Sequence, residues 1–178
     1  VQKGVISVIL AVATVLFYIW IRFEWQFAIG AVFALVHDVM ITIGIFSILD
    51  LEFNLSIIAA LLTIVGYSLN DTVIVFDRIR ENLKKFRKKP LLELLNLSVN
   101  ETLSRTVMTS ATTILALASL YILGGDVIRG FTFAMIWGVL IGTFSSIFVA
   151  SASLLVLGVK RDWSKPSTEA GTQFTNKS

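Results

Sequence analysis

The stretch GYSLNDTVIVFDRIRENLKK (residues 66–85) decides how the rest of the chain is read. Its first half closes an apolar run, yet that run carries Asn70 and Asp71, well before the charges begin in earnest at Asp77. Its second half opens a basic segment, since residues 78–89 hold seven Lys or Arg against one Glu. Short basic loops stay on the cytoplasmic side of a membrane. The stretch therefore reads as the inner end of a membrane helix, with a carboxylate buried above that end.

Composition supports a membrane chain. Of 178 residues, 56% are hydrophobic and 15% charged, whereas a soluble domain carries roughly 25% charged residues. Five apolar runs are long enough for a bilayer helix of about 20 residues: 5–21, 27–49, 55–76, 107–123 and 131–157. The expected fold is an all-α, polytopic bundle of five transmembrane helices. Residues 1–76 carry the first three helices and residues 105–158 the last two. Residues 77–104 form a cytoplasmic basic loop. It contains Pro90, well suited to open a helix, and Leu91, Leu92, Leu95, Val99 and Leu103 at helical spacing, which predicts an amphipathic helix on the inner membrane surface. Residues 159–178 are too polar to pack and are expected to be a disordered cytoplasmic tail. The acidic turn at Asp50 and Glu52 falls outside, as does Val1. An external start without a signal peptide implies a preceding segment. The absence of cysteine and the single His exclude disulfides, thiolate zinc sites and cysteine nucleophiles. No cofactor, enzyme activity or nucleic-acid partner is expected.

Ionisable groups within hydrocarbon are costly and default to a functional reading. From the helical rise, Asp38 lies about 16 Å and Asp71 about 9 Å from the inner boundary. With Arg105 at that boundary, the three make a staircase towards the midplane. His37 adjoins Asp38, and histidine as a residue type suits proton transfer. On the third helix Thr63, Gly66, Tyr67, Asn70 and Asp71 share a side, and Arg78 nearly eclipses Asp71 two turns below. Gly138 and Gly142 form GxxxG, and Gly30 and Ala34 lie beside Asp38; small residues let helices approach closely. Simpler readings stand beside each of these. Asp71 could be neutralised by Arg105 or Arg78 to fix helix register, and His37 with Asp38 could be an interhelical hydrogen-bonding pair. Arg105 could snorkel to headgroups, and the basic run could serve topology or contact anionic lipid.

The segments RFEWQFAIGAVFALVHDVMITIGIFSI, GYSLNDTVIVFDRIREN, TLSRTVMTSATT and GGDVIRGFTFAMIWGVLIGTFSSIFVAS, in that order, resemble the SecF family of bacterial protein-export membrane proteins. The resemblance runs from about Gly4 to Arg161. It implies helices two to six of a six-helix protein, half of a resistance-nodulation-division-type transmembrane domain, with a first helix and an external domain upstream. It implies SecD as a pseudo-symmetric partner, with the SecYEG channel, the SecA motor, YajC and a preprotein as further partners. The location implied is the bacterial cytoplasmic (inner) membrane, and the activity is export driven by the proton motive force. Arg105 matches the family Arg of the TLSRT motif implicated in proton movement, and Asp71 matches the Asp of NDT at the interface between the halves. An Arg does not deprotonate usefully, so its implied role is to hold a carboxylate ionised until protonation releases it. Two other readings compete: half of a proton-driven drug or lipid exporter of the same superfamily, and a non-transporting scaffold of the channel complex.

Overall fold

The computed structural model describes residues 24–51 and 54–159, together with helical positions 6, 10, 13, 14 and 17–21. Among the described residues the chain is helical with no strand. Helix α1 spans Trp25–Ile48, α2 Leu55–Lys85, α3 Leu91–Leu123 and α4 Asp126–Phe144; α4 passes through a π-helical turn, Ser145–Val149, into α5, Ala150–Leu157. Among the described residues, four helices are long and apolar enough to cross a membrane: α1, α2, α3 and the continuous Asp126–Leu157 rod. The run at 5–21 lies largely outside the described residues, as does the tail beyond Val159.

Local chemistry sets the helix ends. Asn54 caps α2 by accepting the Ile57 amide at 3.2 Å, as N-cap side chains do. Asn54→Ala is expected to lower stability by about 1 kcal/mol, measured by thermal unfolding in detergent. Between α3 and α4 the chain reverses at Gly125, whose φ of 77° suits a residue without Cβ.

Two expectations change. The charged segment after Phe76 is no loop, because α2 continues unbroken to Lys85. Nor do residues 91–104 form a separate surface helix; they are the opening turns of the 33-residue α3. No helix breaker lies between Pro90 and Gly124. The stripe that packs is Leu94, Leu95, Ser98 and Thr102, with Leu92 and Leu103 exposed. It is covered by the chain itself, because Leu94 and Leu95 join Ile79 and Leu83 of α2 in one cluster.

That larger cluster also holds Phe27, Ala31, Ala34, Phe76, Ala150 and Leu154, with Phe27 and Phe76 edge to face at 5.3 Å. A smaller one holds Phe46, Ile57, Ala60, Ile64, Ala134 and Met135. Between the two clusters, α1 buries Asp38 and Thr42, and α4–α5 buries Gly138, Gly142 and Ser145 beside Val139 and Ile147. Three glycines lie where another helix comes close. A Cβ on Gly138 would sit 2.3 Å from Ile64, one on Gly142 3.1 Å from Ser68, and one on Gly30 2.5 Å from Ser153. Gly66 is different: it is exposed and has nothing within 4 Å among the described residues, so it packs against none of the described helices.

Candidate functional site

The polar layer centres on Asp38, whose side chain is 1% exposed. Its Oδ2 accepts hydrogen bonds from Ser68 Oγ at 2.5 Å and Ser145 Oγ at 2.7 Å. Its Oδ1 lies 3.1 Å from Nδ1 of the half-buried His37. One carboxylate thus joins α1, α2 and the start of the π turn. Thr42 Oγ1 donates to the Asp38 carbonyl at 2.7 Å. A π turn disrupts the regular ladder of a helix, and such turns frequently mark functional sites. Here hydroxyls lie against main-chain carbonyls of the preceding turn: Ser145 Oγ, bound to Asp38, sits 3.2 Å from the Gly142 carbonyl, and Ser146 Oγ donates to that of Thr143 at 3.0 Å.

Asp71 follows Ser68 by three residues and shares its buried stripe with Thr72 and Val75. It is 4% exposed, and its Oδ2 has no hydrogen-bond partner among the described residues. Burying such an oxygen unpaired is unfavourable. Arg105 is the cation whose field reaches this carboxylate, yet no ion pair within 4.0 Å joins them among the described residues. Arg105 is exposed and lines an open cleft of about 340 Å³ with Asp77, Arg78, Glu81 and Glu101. Thr106, the next residue, is buried with its hydroxyl also unpartnered.

Arg78 is engaged elsewhere. Its guanidinium contacts Glu81 at 2.6 Å and Glu101 at 2.7 Å. Glu101 also accepts from Asn82 Nδ2 at 2.7 Å, and Asn82 reaches Ser98 at 3.0 Å. This group ties the end of α2 to the start of α3. A second string links α2, α3 and α4: Tyr67 donates to Ser110 at 3.4 Å, and Ser110 and Thr143 share a hydrogen bond of 2.6 Å.

The sequence-derived residues therefore divide. Asp38 and His37 meet, and Asp71 lies one helical turn from Ser68, which Asp38 binds. Arg105 stands at the cleft. Asn70 is exposed and turned away from Asp71, as the 100° between successive helical residues allows. Ser68 and Ser145 were missed. Counting back three residues from Asp71 finds Ser68; nothing in the sequence marks Ser145 as more than a small packing residue.

Comparison with known proteins follows the same lines. A family model described as "Protein export membrane protein SecD/SecF, C-terminal" matches residues 1–160. The chain is 56% identical over 176 residues to a protein translocase subunit SecF of Cereibacter sphaeroides, covering 99% of this chain and 54% of that protein. It is 60% identical over 165 residues to one of Rhodobacter capsulatus, covering 93% and 50%. The chain spans about half the length of these curated relatives. Among solved structures, a chain titled "Crystal structure of SecDF in Super-membrane-facing form" matches with a TM-score of 0.76 and 52% identity, over 80% of this chain and 19% of that one.

Proposed function

This chain belongs to the SecD/SecF family of protein export membrane proteins, and from that membership we propose that it is the membrane portion of a SecF subunit which, with SecD, uses the proton motive force to promote export through the SecYEG channel after SecA. The carrying observation is Asp71, a buried carboxylate with an unpartnered oxygen, in the field of an arginine held in no ion pair with it. Such a group is poised to take up and lose a proton, because its surroundings do not commit it to one ion pair. Burial disfavours the ionised form and Arg105 opposes that, while the arginine does not itself deprotonate. Proton uptake cancels that attraction, and the α2–α3 contact relaxes. The second half of the membrane domain comes from SecD, in keeping with the neighbour whose single chain is titled SecDF. The basic turn between α2 and α3 lies on the cytoplasmic side.

In the reconstituted full-length SecD–SecF pair, Asp71→Asn and Arg105→Met are each expected to reduce gradient-stimulated export and proton flux to the level seen without a gradient. Unchanged flux and export in both variants would instead leave the chain a scaffold of the channel complex.

A further inference from the structure

We propose that Asp38, Ser68 and Ser145 form a latch, with the π turn as its moving part and Ser145 as a positioning residue for the Asp38 carboxylate. The inference rests on the proton-driven reading above and extends it to a second carboxylate.

Asp38 Oδ2 accepts both serine hydroxyls. Hydrogen bonds to an ionised acceptor are roughly twice as strong as neutral ones. When a proton binds Asp38, the carboxylate becomes a carboxylic acid: an O–H bond forms, the negative charge is lost, and both serine bonds weaken. A proton on Oδ2 itself occupies one of the two accepting positions. The two serines are not equivalent. Ser145 has a second acceptor within reach, the Gly142 carbonyl at 3.2 Å, so it is the serine that lets go.

Release of Ser145 has a structural consequence because of its position. It is the first residue of the π turn. The fold holds this turn by anchoring its first side chain to α1. Freed, the turn relaxes towards α-helical pairing, and α5 shifts against α1. The two meet where Gly30 leaves room for Ser153 and Leu154. Few other charges surround the latch. On α1 the neighbour is His37, 3.1 Å away. The α2 residue closest in sequence to Ser68 that ionises as a carboxylate is Asp71, with Tyr67 beside it. Residues 131–159, which supply the rest of α4, the π turn and α5, contain no charged or titratable side chain.

The test uses the full-length SecD–SecF pair in proteoliposomes, with spin labels on Val36→Cys and Val156→Cys, both exposed positions; the present chain adds no cysteine of its own. Interlabel distance and export are both measured with and without an imposed proton gradient. In the wild type the gradient is expected to shift the distance distribution. Ser145→Ala is expected to show the released distance in both conditions, its latched population reduced about tenfold or more by loss of one hydrogen bond to a charged group. Ser145→Thr restores the response. Should Ser145→Ala fail to assemble, Asp38→Asn carries the test, with the released distance expected in both conditions. A gradient response in Ser145→Ala or Asp38→Asn like that of the wild type overturns the latch, as does failure of Ser145→Thr to restore it. Gradient-stimulated export with no distance change in the wild type overturns the latch alone. Absence of gradient-stimulated export in the wild type overturns the proton-driven reading and the latch with it.

Discussion

Gly138→Leu abolishes accumulation of the folded chain in the membrane. The expectation follows from the α2–α4 contact. A bare Cβ at position 138 already falls 2.3 Å from both Cδ1 and Cγ1 of Ile64 and 2.8 Å from its Cγ2. Three atoms of a β-branched side chain are involved, so no single rotamer change removes the clash. Ile64 is itself 1% exposed and packed in the smaller core cluster. Gly138→Ala therefore costs about 1–3 kcal/mol, the usual range for overpacking. The three further carbons of leucine force α2 and α4 apart, and Ser68 and Ser145 separate with them. Gly66→Ala is the matched control. That glycine is helical, exposed and without neighbours among the described residues, so alanine there is neutral or stabilising by up to about 1 kcal/mol. Yield of folded protein and thermal unfolding in detergent report all three. Equal losses at positions 66 and 138 would contradict the packing assigned to α2 and α4.

The two buried carboxylates should respond in opposite ways to replacement by leucine. Asp38→Leu removes the acceptor of two buried serine hydroxyls. An unsatisfied buried donor costs about 1–3 kcal/mol, and Ser68 has no second acceptor among the described hydrogen bonds. With Ser145 weakened as well, a net loss of about 2–4 kcal/mol is expected. Asp71→Leu removes a group whose Oδ2 is already unpartnered. Exchanging an uncompensated buried carboxylate for an apolar side chain is neutral or stabilising, by about 1–3 kcal/mol. Thermal unfolding of the full-length chain purified without SecD separates the cases, and gradient-stimulated export with SecD is lost in both. If Asp71→Leu destabilises as much as Asp38→Leu, Asp71 is an anchored structural residue and its poised role is wrong.

The membrane class and the runs that become α1, α2 and α4–α5 were legible in the sequence because hydrocarbon length and apolar composition are linear properties of the chain. So were Asp38 and Asp71, since any carboxylate in such a run is conspicuous. What escaped depends on rotation and on pairing. Asn70 and Asp71 are adjacent, and only tertiary packing determines which of them turns inward. Gly66 looks like any small interfacial residue until the facing helix is located. The amphipathic stripe after Pro90 is real, but whether lipid or α2 covers it cannot be told from spacing. Ser145 carries no signal because hydroxyls are common in membrane helices, where they bond to their own backbone. A π turn leaves no compositional trace.

The lengths of α2 and α3 have a mechanical consequence. At 1.5 Å per residue their 31 and 33 residues extend about 46 and 50 Å, some 15–20 Å beyond the hydrocarbon. Asn82, Ser98, Glu101 and Arg78 bolt the two together near the protruding end. The pair is thus tied at its protruding end, below the contact beside Asp71 that proton uptake is proposed to relax. Since Lys85 lies about 21 Å along the axis from Asp71, a tilt of about 5° there swings the tip by about 2 Å. The joint at Gly124–Gly125 is spanned instead by Arg129, which pairs with Asp126 at 2.8 Å and lies over the Tyr121 ring at 6.0 Å. On the proposed proton-driven reading, a tilt beginning beside the buried carboxylate is therefore largest at the basic turn.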